Sequence, residues 1–110
     1  MTASDFQTAV HTSDGVPVID LTGDLNSSAE DALNQAYATA TVGGVHSVAL
    51  NFEHAHYINS TGIALIVGLL AQARANGIEM KAFGLSDHYR EIFEITRLAD
   101  FMTIEGSNDA

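Results

Sequence analysis

An α/β fold on a mixed sheet of about five strands is what this sequence predicts. Asp14-Gly15 stands between two short β-prone runs, a strong short-range signature of an antiparallel hairpin. From Ser27 onward, stretches with helical spacing alternate with apolar runs of strand length, an order that implies right-handed crossovers and a mainly parallel sheet. The run 63–73 is apolar around a whole helix circumference, so one side must meet a sheet and the other must meet helices or a partner protein.

In chain order, the hairpin pairs residues 6–11 with residues 16–22. Val16, Val18 and Asp20 fall on one face of the second strand and Pro17, Ile19 and Leu21 on the other. Pro17 lacks an N–H and belongs at a strand start or an edge. Gly23-Asp24-Leu25-Asn26 is expected to leave the strand. Ser27 with Glu30 matches a capping box, and Ala29, Ala32, Leu33, Ala36, Tyr37 and Ala40 follow as one helical stripe that stops at Gly43-Gly44. Residues 45–52 read as a central strand, because both of their faces are small or apolar.

Tyr57-Ile-Asn-Ser-Thr-Gly opens the apolar helix. Asn59 and Ser60 are both good N-cap residues, since a short side-chain oxygen accepts from the unpartnered N–H groups of a first turn. The run is too short to cross a bilayer, which needs roughly 20 residues. Asn76-Gly77 ends it, residues 78–83 form a strand, and Ser86 or Asp87 caps a further helix whose inner stripe is Tyr89, Ile92, Phe93 and Thr96. Arg97 lies just past that helix, Leu98-Ala99-Asp100 turns the chain, and residues 101–104 are the last strand. Helices gathered on one side would leave the opposite sheet face thinly covered.

A chain of 110 residues supports one core. Fourteen acidic and four basic residues give a net charge of −10, which opposes phosphate backbones and anionic lipid, so nucleic acid and a membrane surface are poor partners and, with the apolar run too short to span, no membrane insertion is expected. With no cysteine there is no disulfide, no thiolate nucleophile and no cysteine-based zinc site. The first residues lack the basic flank and apolar run of a signal peptide, in keeping with a cytoplasmic protein. His54 and His56 invite a metal reading, but zinc needs three or four ligands and only Glu53 stands near; solvated loop histidines are the expectation. No Gly-x-Ser-x-Gly elbow activates Ser60, and no phosphate-binding Gly-rich loop is present, so the expectation is a protein without catalytic residues, metal or cofactor.

Gly23-Asp24-Leu25-Asn26 at a strand end, Asn59-Ser60-Thr61-Gly62 at a helix start, Gly77 before a strand, and Glu91-Ile-Phe-Glu-Ile-Thr-Arg-Leu-Ala-Asp-Phe near the end occur in the order of the STAS domain. The chain resembles that family over nearly its whole length, and is most similar to the bacterial anti-sigma factor antagonists. The resemblance implies a single STAS domain over 1–110, with roughly three or four helices packed mainly on one face of the sheet. It also implies a phospho-switch: a partner serine kinase, itself the anti-sigma factor, modifies the serine at this helix start, the unmodified form binds that kinase, and a serine phosphatase resets the system.

By position the modified residue is Ser60, with Thr61 as second choice. Asp24, Asn26, Asn59, Thr61, Gly62 and Leu65 are then the residues expected at the partner surface. The family usually has Asp where this chain has Asn59, and often Asp at Asn26. Asn keeps the capping oxygen and loses the charge; Asp24, two residues before Asn26, is the nearest carboxylate to replace it. An alternative implied by the loss of charge is a non-switching STAS scaffold or accessory subunit of a transport or stress-signalling complex.

Overall fold

The computed structural model describes residues 6–105. β1 (Gln7–Ser13) and β2 (Val16–Leu25) form the hairpin around Asp14 and Gly15, which take φ of 52° and 80°, the left-handed turn that Asp-Gly adopts readily. β3 (Ser47–Ile58), β4 (Glu79–Phe83) and β5 (Thr103–Ile104) follow, joined by α1 (Glu30–Ala40), α2 (Ser60–Ala75) and α3 (Asp87–Ile95). The strands lie in chain order, with β1–β2 antiparallel and every later pairing parallel.

One row of partners, Val10, Ile19, Leu50, Ala82 and Ile104, crosses all five strands and faces the core. Leu33 and Tyr37 of α1, Ile66 and Leu69 of α2, and Phe93 of α3 join the same buried cluster, so the helices share one face of the sheet. Phe93 is fully buried, its ring edge-on to Phe52 at 5.6 Å. The neighbouring row, His11, Val18, Ala49, Lys81 and Thr103, lies on the other face. There His11 Nε2 is 3.1 Å from Asp20 Oδ2, and the Asn51 amide donates to Asp20 Oδ1 at 2.9 Å.

Several element ends differ from the sequence expectation, each for a tertiary reason. Both central strands run further: Gly23, Asp24 and Leu25 stay in β2, and β3 continues from Phe52 to Ile58, because the two segments pair with each other across two register shifts. His54 and His56 are therefore exposed strand residues instead of loop residues. The Ser27–Glu30 capping box does not form. Asn26 caps a 3-10 turn, Ser27–Ala29, that precedes α1, and its Oδ1 accepts from Ser28 N–H at 3.0 Å. Thr96 leaves the inner stripe: it is the exposed cap residue of α3, and its hydroxyl donates to the Ile92 carbonyl at 2.7 Å. Phe101 closes a second 3-10 turn, Leu98–Asp100, and the last strand shrinks to two residues.

Candidate functional site

The two longest strands end side by side, and their ends build the site. Asp24 lies opposite Tyr57 and Leu25 opposite Ile58; beyond them the chain enters the Asn26 turn on one side and α2 on the other. The Leu25 carbonyl accepts from the Asn59 N–H at 3.3 Å. Gly62, one turn on, presses against the same carbonyl: a Cβ at this position would overlap the Leu25 oxygen and stand 2.7 Å from Leu25 Cδ2. Only a residue without a side chain admits this approach.

Asn59 is the N-cap, in extended conformation (φ −95°, ψ −176°), and its Oδ1 accepts from Gly62 N–H at 2.8 Å. Ser60, the other cap candidate, is instead the first helical residue. It is exposed, and among the described residues its hydroxyl has no hydrogen-bond partner. The first turn of α2 carries no acidic side chain, so the positive end of the helix is uncompensated there. From the other helix, the Tyr89 hydroxyl accepts from Ile58 N–H at 3.0 Å and fixes the strand just before the cap. Sequence reasoning placed Tyr89 in the inner stripe and missed this role; the available signal was a phenol on an otherwise apolar face, since buried tyrosine hydroxyls find partners.

The expected site residues fall into two groups. Asn59 and Gly62 meet the Leu25 carbonyl, with Ser60 between them in the chain and Asn26 directly after Leu25; Asn26 caps a 3-10 turn and Asn59 caps α2. Thr61 is exposed beside Ser60. Leu65 lies a turn further along, half-buried in a shallow groove of about 240 Å³ between α1 and α2 that is also lined by Glu30, Asn34 and Gln72. Asp24 is exposed on β2, and among the described residues its carboxylate has no partner.

Such an arrangement accepts chemistry more readily than it performs it. Among the described residues, Ser60 has neither the hydrogen-bonded base nor the orienting third group that activates a nucleophile. It does have exposure and a helix N-terminus that favours an attached anion. Among the described residues, no group of three or more His, Asp or Glu side chains is placed to hold a metal ion.

The STAS domain model matches residues 7–110. This chain belongs to the STAS family. As a STAS protein it is 32% identical over 82 residues to the anti-sigma-B factor antagonist of Staphylococcus aureus strain NCTC 8325, covering 74% of this chain and 76% of that one. The corresponding protein of Staphylococcus epidermidis is 34% identical over 61 residues, 56% of each chain. Among solved structures, the unphosphorylated form of the anti-sigma factor antagonist SpoIIAA superposes with a TM-score of 0.69 at 22% identity, covering 94% of this chain and 90% of that one. The phosphorylated form of the Bacillus SpoIIAA gives 0.66 at 24% identity, covering 94% and 93%. An antagonist from Mycobacterium paratuberculosis gives 0.73 at 18%, covering 94% and 87%. This STAS domain is thus of the anti-sigma factor antagonist type, a regulatory rather than catalytic class.

Proposed function

We propose that this STAS domain is a cytoplasmic anti-sigma factor antagonist that binds a serine-kinase anti-sigma factor when unmodified and releases it when Ser60 is phosphorylated, a phosphatase restoring the binding form. The observation that carries this reading is the exposed Ser60 hydroxyl at the first residue of α2, which has no hydrogen-bond partner among the described residues. A phosphoryl group there adds about −1.5 to −2 charges, which the helix N-terminus stabilises and a fitted partner surface excludes. Fold support comes from a structural relative solved in both phosphorylated and unphosphorylated forms. The partner surface comprises Asp24, Asn26 and Asn59 at the strand ends, with Thr61, Gly62 and Leu65 along the start of α2. A switch arises only from the difference in affinity between the two forms, about 1.4 kcal/mol for each tenfold.

Intact-mass measurement after incubation with the cognate kinase and ATP tests this reading. One added phosphate is expected on the wild type and on Thr61→Ala, and none on Ser60→Ala. A wild type that binds the kinase yet stays unmodified would favour the scaffold reading, which the uncharged Asn59 supports; co-purification of a transport or stress-signalling assembly would then identify its role.

A further inference from the structure

We propose that two copies of this chain associate through their β1 strands, which pair antiparallel about a two-fold axis at Val10 and join the two sheets into one. β1 is the first strand in the sheet order, and among the described residues only β2 pairs with it. An edge strand is a template for a further strand unless charge, proline, a bulge or very short length blunts it. The opposite edge is blunted, since β5 has two residues. β1 runs for seven, Gln7–Ser13, in one-to-one register with β2 and without a bulge. It holds no Lys, Arg, Asp, Glu or Pro.

The hairpin determines which backbone groups this edge offers. Ser13 and Val16 flank the Asp14-Gly15 turn and form a hydrogen-bonded pair, and such pairs alternate along an antiparallel ladder. Gln7, Ala9, His11 and Ser13 therefore direct their N–H and C=O groups at β2, whereas Thr8, Val10 and Thr12 direct theirs outward. Pro17 agrees with this phase: it stands opposite Thr12, where the ladder requires no N–H from β2. Thr8 and Val10 are only half-buried although they face the helices, and Thr12 is exposed.

A second copy fits this edge because the strand is complementary to itself. With the axis at Val10, that residue faces its own counterpart, Thr8 faces the second copy's Thr12, and small Ala9 faces the imidazole of His11. β-Branched and Thr–Thr pairs are favourable cross-strand matches. The pairs at Thr8, Val10 and Thr12 are also the hydrogen-bonded ones, so every outward N–H and C=O of these residues finds a partner. Selection of an unrelated strand would need charges or pockets along the edge, and β1 carries no Lys, Arg, Asp or Glu. Each copy has a net charge of −10, so association opposes a general repulsion and strengthens as salt screens it. This inference is independent of modification at Ser60.

The test is sedimentation equilibrium of the full chain over a concentration series, with amide exchange measured at both ends of the series. A monomer–dimer equilibrium that tightens with salt is expected. Exchange should slow with concentration at Thr8, Val10 and Thr12 and not at Ala9 or His11, which are already bonded to β2. Thr12→Pro removes an outward N–H at an exposed position without touching the β2 ladder. It should keep the monomer's circular dichroism and melting temperature and weaken the dimer about tenfold or more. Thr8→Lys with Thr12→Lys sets like charges opposite one another and abolishes the dimer, whereas Thr8→Lys with Thr12→Glu restores it. Within one strand the two positions lie about 13 Å apart, so the contrast reports pairing between copies. A chain that stays monomeric throughout, a dimer indifferent to Thr12→Pro, or equal behaviour of the two double variants would overturn the proposal. So would a monomer whose Thr8, Val10 and Thr12 amides are protected by an added lysine-rich β-strand peptide, which would assign the edge to a partner protein.

Discussion

Two glycines of the same helix should respond to alanine with opposite signs. Gly62 is buried against β2, and a methyl group there meets the Leu25 carbonyl oxygen, with Leu25 Cδ2 at 2.7 Å and Leu25 C at 2.9 Å. Backbone cannot step aside as a flexible side chain does. Overpacking of this kind costs about 1–3 kcal/mol. Loss of the Asn59–Leu25 backbone bond, at 3.3 Å, adds about 1 kcal/mol. The better helix propensity of alanine returns about 1 kcal/mol at most.

Gly62→Ala should therefore destabilise the fold by about 1–3 kcal/mol, or roughly 4–8 °C in Tm for each kcal/mol. Gly68 sits on the exposed side of the same helix with nothing within 4 Å of its would-be Cβ. Gly68→Ala gains the propensity term alone, about 0.5–1 kcal/mol of added stability. Urea denaturation monitored by far-UV circular dichroism measures both, and equal m-values would place the effect in stability rather than compactness. A Gly62→Ala protein as stable as the wild type, or both variants shifting in the same direction, would show that the close approach of α2 to β2 does not constrain the cap.

Replacing Asn59 by Ala removes the oxygen that accepts from Gly62 N–H and should cost about 1 kcal/mol in urea denaturation. Asn59→Asp keeps the cap and places a negative charge at the positive helix end, so it should match or exceed the wild type by about 0.3–1 kcal/mol, an advantage that shrinks with added salt. Tyr89→Phe leaves the Ile58 N–H without its acceptor, at a cost of about 1–2 kcal/mol. Hydrogen exchange should quicken at Ile58 and Asn59 in that variant, while a phenylalanine that leaves exchange unchanged would remove α3 from the support of the site.

The local features were already written in the chain. Asp14-Gly15 makes its hairpin through two residues' own backbone preferences, Asn59 and Ser86 cap through atoms within three residues of themselves, and the spacing of Leu33, Ala36, Tyr37 and Ala40 lays one helical stripe on the core. The alternation of strand and helix likewise determined a parallel order with one hairpin at its edge. Tertiary structure decided the features that depend on distant partners. β2 and β3 extend past their apolar runs because each supplies the other's backbone hydrogen bonds, which carries Asp24 to Tyr57 and the Leu25 carbonyl to Asn59 and Gly62. Tyr89 reaches Ile58 across 31 positions of sequence. Periodicity and capping are short-range properties of a single segment. Strand length, a forced glycine and a site shared by three crossovers belong to pairs of segments, and no one segment encodes them.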